Sequence, residues 1–233
     1  MHFYAGTSGY SYKEWKGLFY PKDLPTKDML RFYAENLNSV EINNTFYRMP
    51  NAGVLESWRE QVPPDFRFIL KAPRKITHIK PLKDKAAETD YWLKTSAVMG
   101  NKLGGTLFQL PPYLRKDIPL LRSFLEILPS DMRAAFEFRH VSWFDDDLYE
   151  TLREKQFSIC CTDGENEELR RLVGTSDWGY FRLRKQNYSE KELMEWIEKI
   201  NSQKWKEVYV FFKHEDDGAI PILARHFLNL AAK

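Results

Sequence analysis

In the segment Phe136-Glu137-Phe138-Arg139-His140, a carboxylate and a guanidinium stand two residues apart inside an apolar run that ends on an imidazole. Side chains alternate along a strand, so Glu137 and Arg139 share one face and the phenylalanines take the other. A charge enclosed by a sheet must be paired or change its protonation, because desolvation penalises it heavily. Glu41-Ile42-Asn43 repeats the same spacing in a second apolar run. The chemistry these groups suit is acid or base catalysis by Glu137 or Glu41, with Asp163 as a further carboxylate. Arg139, Lys71 and Arg182 would hold an anionic or developing-anion group. Two carboxylates roughly 5 to 5.5 Å apart would suit retaining glycoside hydrolysis. Carboxylates locked in ion pairs would instead be scaffolding.

Such groups need strands to carry them. Strand-like runs occur at Phe3 to Ser8, Ser39 to Asn43, Arg67 to Ala72, Gly105 to Leu110, Arg133 to Arg139, Ser158 to Asp163, Trp178 to Arg184 and Glu207 to Lys213. Helical patterns lie between them, near Thr26 to Asn36, Ala52 to Gln61, Ala86 to Met99, Ile118 to Leu128, Asp145 to Lys155, Ser189 to Asn201 and Gly218 to Ala231. Thr26 with Asp28 marks one helix start, and Ser189 with Glu192 has the spacing of a capping box. Only the sixth connection is weak, with Glu167 to Leu172 as a short candidate. Strands alternating with helices imply parallel pairing through crossovers. Eight such units predict a single-domain (β/α)8 TIM-type barrel over residues 1–233. An open doubly wound sheet is the alternative, but no Gly-rich turn of the dinucleotide-binding type follows the first strand.

In such barrels the reactive groups sit at the carboxyl ends of the strands. Those ends carry Thr7 and Ser8, then Glu41, Asn43 and Asn44, then Lys71, Gln109, the Glu137-Arg139-His140 group and Asp163. Arg182 with Arg184, and Lys213-His214-Glu215-Asp216, complete the ring. The expected substrate-binding set is Thr7, Ser8, Asn43, Tyr47, Lys71, Gln109, His140, Trp143 and Arg182. Aromatic residues crowd the same loops, notably Tyr10 to Tyr20, Phe46, Tyr47, Tyr113, Trp143 and Tyr188. Flat rings around a polar floor suit stacking on a sugar or a base, and the long first loop has the length of a lid. Arg182, Arg184, Lys213 and the Gly218-led helix start occupy the place where barrels often bind phosphate.

Composition narrows the classes. The chain has 35 Lys+Arg against 33 Asp+Glu, a formal charge of +2, so no global field drives nucleic-acid binding. A small-molecule substrate is therefore the leading partner. A nucleotide or nucleic-acid module, using Lys13, Lys16, Arg48, Arg74 and Lys75 between the aromatics, is an alternative that the net charge does not favour. No cofactor is implied. A divalent metal on His78, His140, Asp163, His214, Glu215 and Asp216 is a further alternative, but no His-x-His or His-Glu-x-x-His spacing forces them together. Met1-His2-Phe3-Tyr4 enters a strand at once, and no apolar run reaches the roughly 18 residues of a membrane span. A cytoplasmic protein with no membrane partner is expected, with no sequence signal of oligomeric state. Cys160 and Cys161 are adjacent in a strand and point to opposite faces, so they read as reduced structural thiols.

The motifs together resemble a known family. Gly6-Thr7-Ser8-Gly9-Tyr10-Ser11-Tyr12-Lys13-Glu14-Trp15, Val40-Glu41-Ile42-Asn43-Asn44-Thr45-Phe46-Tyr47 and Lys71-Ala72-Pro73-Arg74 with Thr77-His78 follow in order. Phe108-Gln109-Leu110-Pro111-Pro112 and Glu137-Phe138-Arg139-His140 with Trp143 complete the set, which is similar to the YecE-like family, domain of unknown function 72. The resemblance implies a TIM barrel and brings no reaction, cofactor or substrate. It departs late, where Arg182-Leu183-Arg184-Lys185 replaces an Arg-x-His-Gly motif and Phe212-Lys213-His214-Glu215-Asp216 replaces an Asn-rich turn.

Overall fold

The computed structural model describes residues 1–48, 50–164, 171–213 and 218–232. Eight strands form one parallel sheet: β1 (His2–Thr7), β2 (Ser39–Ile42), β3 (Arg67–Lys71), β4 (Leu103–Gln109), β5 (Ala134–Glu137), β6 (Ser158–Thr162), β7 (Trp178–Leu183) and β8 (Glu207–Phe212). Their order around the sheet is β1-β8-β7-β6-β5-β4-β3-β2, the sequence of a (β/α)8 barrel. Helices α1 (Met29–Asn36), α2 (Asn44–Tyr47), α3 (Ala52–Glu60), α4 (Arg74–Thr77), α5 (Ala86–Ser96), α6 (Ile118–Leu125) and α7 (Asp146–Glu154) lie between the first six strands. After them come α8 (Glu190–Asn201) and α9 (Ile220–Ala231). The expected capping box at Ser189 and Glu192 is present, whereas Thr26 opens a 3-10 turn capped by Pro25 and makes no side-chain cap. Of the weak sixth connection, residues 167–170 lie outside the described residues, as do His214, Glu215 and Asp216.

The barrel closes by an unusual seam. β1 and β2 share a single backbone bridge, Ser8 to Glu41, with Gly9 N–H donating to the Glu41 carbonyl at 2.8 Å. Side chains supply the rest. Asn38 accepts from Ala5 N–H and donates to the Phe3 carbonyl, both at 2.9 Å, imitating a ladder. The Tyr33 hydroxyl accepts from Thr7 N–H at 2.8 Å and donates to the Ser39 carbonyl at 3.0 Å. Gly6 permits this approach, because a Cβ there would lie 1.8 Å from the Ser39 carbonyl oxygen.

Strand alternation divides the core in two. Outward residues such as Val40, Phe68, Phe108, Phe136 and Val208 pack under the helices. Inward residues build layers. The amino-end layer is aromatic, with Tyr4 stacked on Tyr209 at 4.7 Å and Arg133 held over Trp178 at 4.8 Å while pairing with Glu207. Above it lie Ile69, Leu107, Ala135, Cys160, Tyr180 and Phe211. Cys160 faces inward and Cys161 joins the outer core; both are buried and neither is in a disulfide. The topmost layer is ionic. No helix among the described residues is long and apolar enough to cross a membrane.

Candidate functional site

The ionic layer occupies the carboxyl ends of β2, β3, β4, β5 and β7. Period-two alternation brings Glu41, Lys71, Gln109, Glu137 and Arg182 inward together. Arg182, 1% exposed, bridges the two carboxylates: one Nη donates to Glu137 Oε2 at 2.6 Å and the other to Glu41 Oε1 at 2.9 Å. Glu41, fully buried, also accepts from Tyr180 Oη at 2.6 Å, Ser8 Oγ at 2.7 Å and Asn43 Nδ2 at 3.0 Å. Glu137, 1% exposed, accepts from Gln109 Nε2 at 2.9 Å and from Arg184 Nη2 at 2.6 Å. Because its amide nitrogen is committed to Glu137, Gln109 turns its oxygen toward Lys71, whose Nζ donates at 2.8 Å. Lys71 Nζ also sits 4.3 Å from the centre of the Phe46 ring.

The electrostatics follow from this wiring. Burial would raise the Glu137 pKa, but Arg182, Arg184 and the Gln109 hydrogen bond outweigh it and hold the carboxyl at about 2. Glu41 is likewise pushed up by burial and brought below the ordinary value by Arg182, then Tyr180, Ser8 and Lys71. Burial would strip the proton from Arg182, yet Glu41 and Glu137 keep it charged. Lys71 goes the other way: burial and the Arg182 charge lower it to about 8, against the pull of both carboxylates. The Phe46 ring face favours the ammonium and also opposes that shift. His78, edge-on to the same ring at 4.8 Å, is lowered by burial, then by Lys71 and Arg139, to about 4.

The sequence-expected residues divide accordingly. Ser8, Glu41, Asn43, Lys71, Gln109, Glu137 and Arg182 belong to one network. Arg139 does not join it. β5 ends at Glu137, so the alternation expected to reach Arg139 stops short, and Arg139 is exposed with no ion pair to a described residue. Asp163 is set apart from the carboxylates; it accepts from the backbone N–H of Arg184 at 2.6 Å and of Lys185 at 3.0 Å, and from the Tyr188 hydroxyl. It fixes the loop that carries Arg184. Thr7 points outward into the seam against Tyr33. Trp143 is fully buried and donates to the Leu114 carbonyl, while His140 caps a short 3-10 turn through Ser142. Tyr47 stands at the rim, 75% exposed.

The first loop also departs from expectation. Trp15, Phe19 and Tyr20 are buried and pack on one another, with Phe19 against Phe32 and Tyr33 and Tyr20 against Phe32, so these rings seal the barrel flank and do not form a lid. Sequence reasoning passed over Tyr180 and gave Arg184 only an anion-binding role. The Trp178-Tyr180-Arg182-Arg184 periodicity was the available signal. Among the described residues no cluster of three His, Cys, Asp or Glu could hold a metal. Of the metal-ligand alternative, His78, His140 and Asp163 point to separate partners.

A carboxylate held near 2 inside an ion pair cannot deliver a proton at neutral pH. Glu41 is lowered as well, so among the described residues neither carboxylate of the layer is the raised-pKa acid that glycoside hydrolysis needs. Lys71, Asn43 and Arg184 are only half-buried, and their donors reach Gln109, Glu41 and Glu137 respectively. A cavity of about 90 Å³ lined by Gly9, Tyr10, Tyr12, Asn43, Asn44 and Trp58 opens beside Asn43.

Comparison with known proteins agrees with this fold. Residues 4–233 match the protein family described as "Protein of unknown function DUF72". The UPF0759 protein YecE of Escherichia coli K12 is 34% identical over 116 residues, covering 49% of this chain and 43% of that protein. The chain thus spans less than half the length of that curated relative. UPF0759 protein YunF of Bacillus subtilis is 27% identical, over 91% of this chain and 89% of its own length. A DUF72 family protein of Thermotoga maritima superposes with a TM-score of 0.88 at 28% identity, over 100% of both chains. One from Enterococcus faecalis superposes at 0.81 with 20% identity, over 99% and 96%, which supports the fold alone. The chain belongs to the DUF72 family.

Proposed function

We propose that the protein is an enzyme acting on a small substrate that bears an oxyanion, bound over the carboxyl end of the barrel. The observation that carries this reading is the polarity of the ionic layer. Two carboxylates and a guanidinium lie fully buried, while the cations Lys71 and Arg184 and the Asn43 amide, hydrogen-bonded to Gln109, Glu137 and Glu41, are half-buried at the strand ends above them. A buried network of this kind stabilises a fold little compared with apolar packing of the same volume. Its service is to hold donors in a fixed geometry, the arrangement that binds phosphate, carboxylate or a developing oxyanion. Lys71, with a pKa near the working range, is the group able to exchange a proton with the substrate. Glu41, Glu137, Arg182 and Gln109 are positioning residues.

A second reading rests on the rim. Tyr113 (66% exposed) donates to the His78 carbonyl, and Phe46 touches both His78 and Tyr47 (75% exposed), with Arg48, Arg74 and Arg115 exposed in the same loops. Rings and cations so placed suit a base and its phosphate, so a nucleotide ligand bound without turnover is the alternative.

The test is a ligand-observed NMR screen of sugar phosphates, nucleotides, small carboxylates and uncharged sugars. Loss of one charged donor costs about 1.5 to 3 kcal/mol, so Arg184→Gln and Lys71→Gln should each weaken anion binding at least ~10-fold. Uncharged sugars binding as well as their phosphates would sink the enzyme reading. Binding that ignores both substitutions, falls steeply with salt and needs Tyr47 would favour the nucleotide module.

A further inference from the structure

We propose that Lys71 is an amine nucleophile toward a carbonyl carbon, and that the substrate is an aldehyde or ketone carrying an anionic group which the barrel holds as a protonated imine. This rests on the reading that the barrel mouth is the substrate site, and deepens it by naming the substrate class.

Lys71 is the last residue of β3 and points into the barrel among the strand ends. Two carboxylates share its layer, yet it makes no ion pair with any described residue, because Arg182 and Arg184 occupy them. Its hydrogen bond among the described residues is to a neutral acceptor, Gln109 Oε1, and that oxygen is aimed by the Gln109 amide's own bond to Glu137. One side of the amine rests on the Phe46 ring. Among the described residues the nitrogen is therefore anchored without a counter-ion, and the charge of the Arg182 guanidinium favours loss of its proton. A lysine wired in this way presents a lone pair at mild pH, the requirement for imine chemistry. A lysine meant only to grip an anion gains nothing from burial beside a guanidinium. Arg184, 30% exposed, supplies the cation for the substrate's anionic group, and the Asn43 amide a further donor.

The step balances without an oxidant or reductant. The Lys71 ammonium gives up a proton, and the free nitrogen adds to the carbonyl carbon while the C=O π pair moves to oxygen. Proton transfer from nitrogen to that oxygen gives the neutral carbinolamine. Its hydroxyl takes up one proton and leaves as water as the nitrogen lone pair forms the C=N bond. Ammonium plus carbonyl thus becomes protonated imine plus one water.

The experiment is reductive trapping at pH 8. Protein is mixed separately with pyruvate, glyceraldehyde 3-phosphate, dihydroxyacetone phosphate and uncharged dihydroxyacetone, then treated with sodium borohydride and mapped by peptide mass spectrometry. The expected result is a single reduced adduct on the Lys71 peptide from at least one anionic carbonyl, in ~10-fold excess over any other lysine. It should be absent in Lys71→Arg, several-fold weaker in Arg184→Gln, and weak with dihydroxyacetone. Circular dichroism confirms that both variants fold. Adducts spread evenly over surface lysines, or none at Lys71 with any of the probes, would overturn the proposal. In that case, retained binding of the same anions leaves the oxyanion site standing, whereas its loss removes both.

Discussion

Arg182→Met is the most informative perturbation, because it removes the one group shared by both buried carboxylates. In the folded state Glu137 titrates at about 2 in place of 4.5, so the network favours its anion by about 3 kcal/mol. Arg182 is the largest stabilising contribution for Glu137 and for Glu41 alike. Breaking a buried pair by deleting one partner costs about 3 to 5 kcal/mol. For a chain of 233 residues, at ~2 to 4 °C per kcal/mol, that lowers the melting temperature by about 6 to 20 °C. The loss should depend on pH with a definite sign. Glu137 has a depressed pKa, so its contribution in the parent is fully present above about 4.5 and fades as pH falls toward 2. In the variant the stranded carboxylates rise, one takes up a proton, and the deficit measured at pH 7.5 narrows at pH 5. Scanning calorimetry at both pH values reads this directly. The triple variant Glu41→Gln, Glu137→Gln, Arg182→Met removes the three fully buried charges of this layer together and should regain most of the loss. A melting temperature within 2 °C of the parent for Arg182→Met, or a triple variant as damaged as the single one, would refute the reasoning.

Further expectations follow from other parts of the molecule. Gly6→Ala sets a methyl 1.8 Å from the Ser39 carbonyl oxygen at the seam, and should lower the melting temperature by more than 10 °C or abolish soluble expression. Cys160 and Cys161 are buried with pKa values pushed up, Cys161 to about 12, so neither should react with a thiol reagent until the protein unfolds. His78 should stay a neutral imidazole until pH falls toward 4, read by NMR of its ring; because its folded pKa lies below the ordinary 6.5, acidification from 6.5 through 4 should cost stability.

The barrel was legible because eight period-two runs alternate with amphipathic helical runs, and tertiary packing follows that pattern. The strand ends were less so. Glu137 and Arg139 obey one spacing in sequence, but the β5 ladder stops at Glu137, and a period says nothing of where pairing ceases. Arg182 was legible as a strand-end cation, whereas Tyr180, two residues before it on the same face, was passed over. The β1–β2 seam left no local signature, since Tyr33 and Asn38 act across 26 to 35 residues of chain. The protonation roles were also hidden. Glu41 and Glu137 look like acids in sequence, and the guanidinium that bridges them and lowers both pKa values comes from 141 and 45 residues further along the chain.

The central claim is that these carboxylates stay ionised behind a mouth whose proton-exchanging group is the Lys71 amine. Titration of the lysine side chains by heteronuclear NMR, with Lys71 assigned by its loss in Lys71→Arg, tests it most directly. A Lys71 midpoint near 8 is the expected result. A Lys71 midpoint above 10 would contradict the account.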